Sequence, residues 1–322
     1  MVNLRQLSVL FLMALVSANS AAQTYPSKPI RMVVPNAAGG GMDFLARTVS
    51  APVSQALAQP IIVDNKPGAA TAVGASEVAR AAPDGYTILI ADGGTLVFNP
   101  MMYSKLIYDP ARQLTPVSML ARFPMILVVG PSVQQKSAID FIQFARTNPS
   151  GVTFGSPGVG SPHHLAMELL KRNARFDALH VPYKGAAPSV QGVAAGEISA
   201  MMVDMAAGAG MIKSGKIRPL AVASPKRLAQ LPNVPTFAEL GMSDIEAAAV
   251  VGVAAPAGTP PEVVSKLEQQ FIAAVTDPQT RARLVEFGVE PVGSTSAEYA
   301  KSLVAEKSKW EKLIADLKIS LE

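Results

Sequence analysis

The sequence predicts an α/β protein built of two lobes. Short runs rich in Val, Ile and Leu alternate with helical patterns, as in sheets of parallel strands. Two stretches, Leu120–Pro124 and Arg227–Asp244, have the character of crossings between lobes, the second because prolines and a glycine interrupt it. We therefore predict lobe 1 from residues 23–123 plus 241–322, lobe 2 from residues 124–240, and a ligand cleft between them.

The individual elements follow from these patterns. The apolar runs predict strands at Ile30–Val34, Ile61–Asp64, Thr87–Ala91, Ile126–Val129, Val152–Gly155, Leu179–Pro182, Ile198–Val203, Leu220–Ala223 and Ala247–Pro256. Helical spacing predicts helices at Asp43–Leu57, Thr71–Ala81, Ala138–Thr147, Pro162–Asn173, Ala187–Ala195, Pro261–Thr276, Pro278–Phe287 and Ser296–Leu317. Pro52 falls inside the first helix and is predicted to kink or split it.

Residues 1–22 have the composition of a signal peptide and are predicted to be removed. Arg5 supplies a positive charge, Leu7–Val16 is the apolar core, and Ser20-Ala21-Ala22 provides small residues for cleavage after Ala22. This core is too short for a membrane-spanning helix, which needs about 20 residues. We therefore expect an exported protein, most simply a periplasmic one.

The composition argues against several classes of function. The chain contains no Cys, so we expect no disulfide, thiol nucleophile, thiolate metal site or N-terminal lipid anchor. The formal net charge is only +4 and basic residues are scattered, which gives no support for binding nucleic acid or a membrane surface. The hydrophobic fraction of 49% is ample for packed cores.

The most informative motif follows the first predicted strand and contains three consecutive glycines, Gly39–Gly41. A strand, a Gly-rich loop and a helix leave N–H groups unpaired at the helix start, with the positive end of the helix dipole behind them. Such a helix start binds anions, so a cradle for an anionic ligand is predicted here. The alternative is that the glycines only turn the chain, as they do in many α/β proteins.

Three further loops repeat this arrangement after later strands, at Asp92–Thr95, Gly155–Pro162 and Tyr183–Pro188. In the second of them, Ser161 and Pro162 form a good helix start as the cap and the first helical residue. Loops at the carboxyl ends of parallel strands line one crevice. We therefore expect two loops from each lobe to face each other across the cleft.

Enzymatic motifs are incomplete in this sequence. Phe44 stands where a dinucleotide-binding G-x-G-x-x-G motif needs its third glycine, and Gly215-Lys216 is not followed by Ser or Thr as a phosphate-binding loop requires. A Ser–His–Asp triad of Ser156, His164 and Asp204 stays open, and with it the alternative of an exported hydrolase.

Three candidate residues have more than one interpretation. His164 and Glu168 lie one helical turn apart, which suits two metal ligands or a hydrogen bond on the helix surface. Because two ligands are too few, no metal is predicted. Asp43 is either an acid favoured at a helix start or an acceptor for the ligand. Asp204 is a loop cap, a contact formed on lobe closure, or a ligand contact.

A series of segments along essentially the whole chain carries a family resemblance. They are Tyr25–Arg31, the loop from Val34-Pro35 to Gly39-Gly40, Ala82–Tyr86, Tyr108–Pro110, Val181–Gly185, Leu231–Thr236 and Ala255–Pro261. In this order and spacing they are specific, and the chain resembles the substrate-binding proteins of tripartite tricarboxylate transporters, also called the Bug or TctC family. The resemblance implies a two-lobed, type II periplasmic-binding-protein-like Venus flytrap that closes on a small carboxylate and delivers it to a membrane permease.

The resemblance also implies which residues hold the ligand carboxylate, partly through ordered waters. Carried over by position, they are Asn36, Ala37, Ala38, Gly39 and Asp43 on one side, Ser156, Gly158, Ser161, His164 and Asp204 on the facing side, and Thr95 at the rim.

The chain departs from the family pattern at three places. Asn36 stands where family members commonly have an aromatic residue, and Val250–Gly252 and Met201–Asp204 lack the aromatic residues common there. The identity of the ligand therefore does not transfer from the family. We expect Asn36 to add a hydrogen bond to a more polar ligand.

The predicted function is that of an extracytoplasmic solute-binding protein for a small organic anion, a mono- or dicarboxylate. It is expected to act by domain closure as a monomer, without metal or cofactor, and to pass its ligand to the permease subunits of a tripartite transporter. Neither enzymatic activity nor nucleic-acid binding is expected. Two alternatives stay open: the hydrolase using Ser156 and His164, and a ligand sensor that presents its closed form to a signalling partner.

Overall fold

The computed structural model describes residues 25–149 and 151–321. In this part of the chain, two separate β-sheets carry helices packed against them, which confirms the predicted α/β fold with two lobes. The predicted signal peptide, residues 1–22, and its cleavage site after Ala22 lie outside the described residues.

The first sheet has six strands in the order β11-β4-β10-β3-β1-β2. These strands are β1 (Ile30–Val34), β2 (Ile61–Asn65), β3 (Thr87–Asp92), β4 (Leu114–Pro124), β10 (Ala248–Pro256) and β11 (Glu290–Pro291). Strand β1 pairs in parallel with β2 and β3, with Ile30 opposite Ile61 and Arg31 opposite Thr87. Strand β10 is antiparallel to both of its neighbours, β3 and β4.

The second sheet has five strands in the order β7-β6-β8-β5-β9. They are β5 (Ile126–Val129), β6 (Thr153–Ser156), β7 (Leu179–Pro182), β8 (Ala200–Val203) and β9 (Arg218–Val222). Strand β6 is parallel to β7 and β8, whereas β5 is antiparallel to β8 and β9. The expectation of parallel sheets is therefore wrong in part, because each sheet also contains antiparallel pairs next to the place where the chain crosses between sheets.

The helices lie close to the predicted positions. They are α1 (Gly41–Leu57), α2 (Ala72–Ala79), α3 (Asn99–Met102), α4 (Pro110–Gln113), α5 (Ala138–Thr147), α6 (Pro162–Ala174), α7 (Ala186–Ala195), α8 (Met205–Lys213), α9 (Pro261–Thr276), α10 (Pro278–Glu286) and α11 (Ser296–Asp316). A π-helix (Gly94–Phe98) runs into α3, and a short 3₁₀ helix covers Ala238–Leu240. Helices α4 and α8 and the helical segment from Gly94 to Met102 were not predicted.

Helix α1 is continuous through Pro52, so of the two predicted effects of this proline, a kink or a split, the split is wrong. The apolar side chains Leu45, Val49, Val53 and Leu57 are buried along one face, and the helix packs against β2 and α9. A proline in the fourth turn removes one backbone hydrogen bond. Burial of four large aliphatic side chains, at about 1.5–3 kcal/mol each, outweighs this loss.

Three backbone hydrogen bonds tie the crossing segments together. Met125 N–H donates to the carbonyl oxygen of Ala247 (3.0 Å), Ala247 N–H to that of Ala223 (2.9 Å), and Ala223 N–H to that of Met125 (2.8 Å). One continuous core extends across this point and includes buried side chains of both sheets, such as Leu127 and Val251. Among the described residues, none of the helices has the length and hydropathy that a membrane crossing requires.

Candidate functional site

Three helices that follow strands of the two sheets start close together. Helix α1 follows β1 of the first sheet, while α6 and α8 follow β6 and β8 of the second. A methyl group placed on Gly41, the first residue of α1, would lie 3.0 Å from the Cβ atom of Ala206 in the first turn of α8. Nε2 of His163, in the first turn of α6, lies 2.8 Å from Oδ2 of Asp204, which precedes α8. The positive ends of three helix dipoles thus point toward one region between the sheets.

Asp43 holds the glycine loop that precedes α1. Its Oδ2 atom accepts the Gly39 N–H at 2.9 Å, and both carboxylate oxygens accept from Nε of Arg47 at 3.0 and 3.1 Å. Although burial alone would raise it, the pKa of the Asp43 carboxyl is lowered by the Arg47 and Gly39 hydrogen bonds. Of the two interpretations of Asp43, the structure supports the acid that stabilises the helix start.

Helix α1 has no side-chain cap, since Gly40 occupies its N-cap position. By contrast, the Ser161 side chain caps α6 by accepting from His164 N–H, and the Asp204 side chain caps α8 by accepting from Ala207 N–H. The first N–H groups of a helix have no partner within it. The start of α1 is therefore the one of these three at which no side-chain cap takes up a first-turn N–H.

Asn36 lies in the same loop, partly buried. Its carbonyl oxygen accepts from Nδ2 of Asn65 at 3.0 Å. Its side-chain oxygen Oδ1 is buried and has no hydrogen-bond partner among the described residues. Such an acceptor is costly unless a donor reaches it, and a ligand hydroxyl or amine is a suitable donor.

The loop after β6 is shaped by its own side chains. Ser156 is fully buried, and its Oγ atom lies 2.7 Å from Nε2 of His180 and accepts the Gly158 N–H at 3.1 Å. The Ser161 hydroxyl donates to the carbonyl oxygen of Gly158 at 2.8 Å. The hydroxyls of Ser156 and Ser161 are thus occupied within the loop rather than directed at a ligand, and Gly158 contributes its backbone, in the left-handed region at φ 147°.

The triad of Ser156, His164 and Asp204 does not form. Nδ1 of His164 accepts the Gly160 N–H at 3.1 Å, and its ring stacks on that of His180 with centroids 4.0 Å apart. Asp204 pairs with His163 instead. Glu168 is paired with Lys171 at 2.8 Å, and the described residues contain no group of three or more potential metal-binding side chains.

Both stacked histidines are neutral at neutral pH. Burial, the proximity of His180 and the charge of Lys171 lower the pKa of His164 to about 3. Burial and Lys171 lower the pKa of His180 to about 4. Only the neutral ring can accept at Nδ1, so this state preserves the bond from Gly160 to His164.

We expect the melting temperature to fall as the pH is lowered from about 6.5 toward 4. The unfolded chain protonates both histidines near their ordinary pKa of about 6.5, whereas the folded chain resists protonation until the pH approaches the lowered values. The stability that the neutral histidines contribute above about pH 6.5 is therefore lost as the pH falls toward 4. Thermal melts against pH should show a shallower fall for His180→Gln, and identical slopes for the two proteins would contradict this account.

Thr95 is not at the rim of a cleft, contrary to the expectation. It is fully buried, and its hydroxyl lies 2.9 Å from Oδ1 of Asp92 and 2.8 Å from Oγ1 of Thr71. Thr95 is the second residue of the π-helix Gly94–Phe98, which follows β3.

The turn Ala69–Thr71, after β2, was missed by the sequence analysis. All three residues have positive φ (45°, 46° and 77°), a conformation that costs non-glycine residues energy and is found at functional sites. A polar clamp of Thr95, Asn99, Tyr103 and Tyr108 holds it in place. Asn99 donates to the carbonyl oxygen of Ala70 at 2.7 Å, and the Tyr103 hydroxyl to that of Ala69 at 3.0 Å. The preceding Pro67-Gly68 pair was the available signal.

A cavity of about 1020 Å³ lies elsewhere, between α11 and the segment from Leu96 to Ser104. Its walls are mainly apolar, and none of the predicted ligand residues lines it. Met102 belongs to the wall of this cavity and also lies beside Gly160 of the β6–α6 loop. Lys307 and Lys318 belong to its lining, whereas the helix starts offer backbone N–H groups to an anion.

Comparison with known proteins gives consistent matches along the chain. The family described as tripartite tricarboxylate transporter family receptor matches residues 45–319. Protein BugT of Bordetella pertussis is 31% identical over 302 residues, which cover 94% of this chain and 93% of BugT.

Solved structures match equally broadly. The Rhodopseudomonas palustris protein MatC with bound malate has a TM-score of 0.82 and 29% identity, covering 90% of this chain and 100% of MatC. The R. palustris protein Rpa4515 with adipate has a TM-score of 0.86 and 35% identity, covering 90% of this chain and 97% of that one.

Proposed function

Because this chain belongs to the tripartite tricarboxylate transporter receptor family, whose members are periplasmic solute-binding proteins, we propose that it captures a small organic carboxylate between its two lobes in the periplasm. The observation that carries the proposal is the meeting of the starts of α1, α6 and α8, with only that of α1 free of a side-chain cap. In this proposal the ligand carboxylate lies on the first N–H groups of α1, with residues 36–39 around it. The facing loop at Gly158 closes over the ligand. Lobe 1 consists of residues 23–123 and 241–322, and lobe 2 consists of residues 124–240.

The energies involved are sufficient for this mode of binding. A partly buried helix start contributes up to about 2 kcal/mol toward an anion, and each hydrogen bond to a charged group roughly 1.5–3 kcal/mol. Three such bonds approach the roughly 8 kcal/mol of micromolar affinity before ordering costs are subtracted. A ligand-contacting Lys or Arg is then not required.

The remaining predicted residues take supporting roles in this proposal. Asp43, Ser156, Ser161, His164 and Asp204 hold the two facing loops and helix starts through the bonds described above. The family description supports delivery of the ligand to the permease subunits of a tripartite transporter, and relatives with adipate or malate make a dicarboxylate the leading candidate. A sensor that shows its closed form to a signalling partner is compatible with the same site.

A thermal-shift experiment on the chain from Gln23 onward tests the proposal. The panel contains malate, adipate, benzoate and a neutral diol of matched length as the control. A carboxylate at about 100 times its Kd should stabilise the fold by about 2.7 kcal/mol, which raises the melting temperature by several degrees. No shift with any carboxylate would contradict the proposal, as would ester turnover that is abolished by Ser156→Ala.

The Asn36→Ala variant sharpens this test. Removing an unsatisfied buried acceptor is expected to leave the stability of the ligand-free protein unchanged or slightly higher. The affinity for a ligand that carries a hydroxyl, such as malate, is expected to fall by about tenfold, equivalent to roughly 1.4 kcal/mol, while that for adipate stays the same. Equal affinities of wild type and variant for malate would show that Asn36 does not accept a hydrogen bond from the ligand hydroxyl.

A further inference from the structure

Two glycines from distant parts of the chain lie against the first turn of α8. Gly41 begins α1, and Gly288 follows α10; we call this pair the glycine notch. A methyl group on Gly288 would overlap the Cβ atom of Met205, and one on Gly41 would lie 3.0 Å from Cβ of Ala206. Two consecutive residues at the start of α8 thus pack against glycines, one at a position with no room for a methyl group (Gly288) and one at a position where a methyl group would be tightly packed (Gly41).

The two sides of the glycine notch are joined to each other. Phe44, one turn after Gly41, stacks on Phe287 with ring centroids 3.7 Å apart. The guanidinium of Arg283 lies 5.6 Å from the centroid of the Phe44 ring. The notch is therefore a rigid surface formed by α1 and the end of α10, both of which belong to the half that contains the first sheet.

Helix α8, by contrast, belongs to the half that contains the second sheet. It follows β8 and precedes β9, and Asp204 at its N-cap links it to α6 through His163. Nε2 of Gln230, also from this half, donates to the carbonyl oxygen of Val285 beside the notch. The contacts of Met205 and Ala206 with the notch therefore join the two halves across the region where the ligand is proposed to bind.

We propose that the glycine notch is the mechanical stop for lobe closure and that it determines the length of ligand the closed form accepts. This inference rests on the proposed function. Side chains at positions 41 or 288 would hold α8 away from α1, so the uncapped start of α1 and the loop after β6 would stay further apart. A short ligand could then no longer contact both lobes, whereas a longer one could.

The experiment compares Gly288→Ala with Gly215→Ala. Both glycines have positive φ (76° and 69°), but position 215 has nothing within 4 Å of an added methyl group, so the backbone cost is matched and only the clash differs. Because the chain contains no Cys, Ala56→Cys on α1 and Gln143→Cys on α5 introduce the only two thiols for spin labels. Pulsed electron resonance then measures the distance between the halves without ligand and with saturating malate or adipate, and titration calorimetry measures binding of the two acids.

The expected result is a longer and broader distance distribution for Gly288→Ala, and none of this change for Gly215→Ala. Malate affinity is expected to fall at least tenfold in Gly288→Ala, and adipate affinity by less than threefold. Unchanged distances would overturn the proposal whichever ligand binds. A longer distance with equal losses for both ligands would overturn the selection by length.

A second pair of variants gives an independent reading if Gly288→Ala does not fold. Gly41→Ala is expected to lengthen the same distance, whereas Gly40→Ala is not, because only the carbonyl oxygen of Ala37 at 3.7 Å lies near an added methyl group there. If wild type binds neither acid, the proposed ligand class fails, while the distance measurement still decides whether the notch limits closure.

Discussion

Replacing Asn99 by Asp is expected to destabilise the folded chain by about 3–5 kcal/mol, as the uncompensated burial of a charge does. Asn99 is buried, and its Nδ2 group donates to the carbonyl oxygen of Ala70 at 2.7 Å and lies 3.2 Å from the hydroxyl of Tyr108. A carboxylate of the same shape cannot donate to either atom. Urea unfolding at neutral pH measures the loss.

Three comparisons make this prediction specific. Asn99→Ala removes the donor without adding a charge and should cost less, about 1–3 kcal/mol. Asn233→Asp makes the same chemical change at an exposed position and should cost little. Burial raises the pKa of a carboxyl, and a protonated carboxyl can donate again, so acidification to pH 5 should recover part of the stability of Asn99→Asp relative to wild type. Equal losses in the Asp and Ala variants would show that the buried charge adds no cost, and the absence of any loss in Asn99→Ala would contradict the role of Asn99 as a donor to the strained turn Ala69–Thr71.

Replacing His163 by Leu is expected to cost about 3 kcal/mol, because it leaves the buried carboxylate of Asp204 without its ring partner. Burial opposes ionisation of Asp204, yet the hydrogen bond and the proximity of His163, with the Ala207 N–H, lower its pKa overall. A lowered pKa means that Asp204 adds stability at neutral pH, which is lost as the pH falls toward the folded-state value. In His163→Leu this pKa rises, so the loss should begin at a higher pH.

A double-mutant cycle separates the pair from the helix cap. Asp204→Asn keeps an oxygen that can accept from Ala207 N–H but removes the charge, so it preserves the cap of α8. The double variant should be more stable than His163→Leu alone, since no unpaired charge remains buried. Additive losses would mean that His163 and Asp204 act independently, against the geometry described for the starts of α6 and α8.

Much of the fold was predictable, because strands buried between helices leave unbroken apolar runs. Ile30–Val34 and Ile126–Val129 have the same ends in the prediction and in the structure. Strand β4 is longer than the predicted crossing Leu120–Pro124, because Pro116, Ser118 and Arg122 interrupt its apolar character. The antiparallel direction of β10 in the first sheet and of β5 in the second was missed. Strand direction depends on hydrogen bonds to distant segments, which hydrophobic periodicity does not record.

The site was predictable as a set of loops but not in the roles of its side chains. Glycine runs after strands located the starts of α1 and α6, because an unpaired helix start has a local sequence pattern. The hydroxyl of Ser156 is hydrogen-bonded to His180, and the hydroxyl of Thr95 is hydrogen-bonded to Thr71. Both partners come from other elements, and no local sequence pattern indicates them. The turn Ala69–Thr71 was missed because positive φ is normally signalled by Gly or Asn, and here the clamp imposes it on other residues.

The position of β10 also determines the order in which the lobes can be completed. The second sheet is built from residues 126–222 without interruption, whereas the first needs Ala248–Pro256 as an inner strand between β3 and β4. Joining segments this far apart in sequence is slow, because a long loop must close before any pairing energy is gained. A chain interrupted before Ala248 would therefore hold a finished second sheet and expose two open strand edges, β3 and β4, to aggregation.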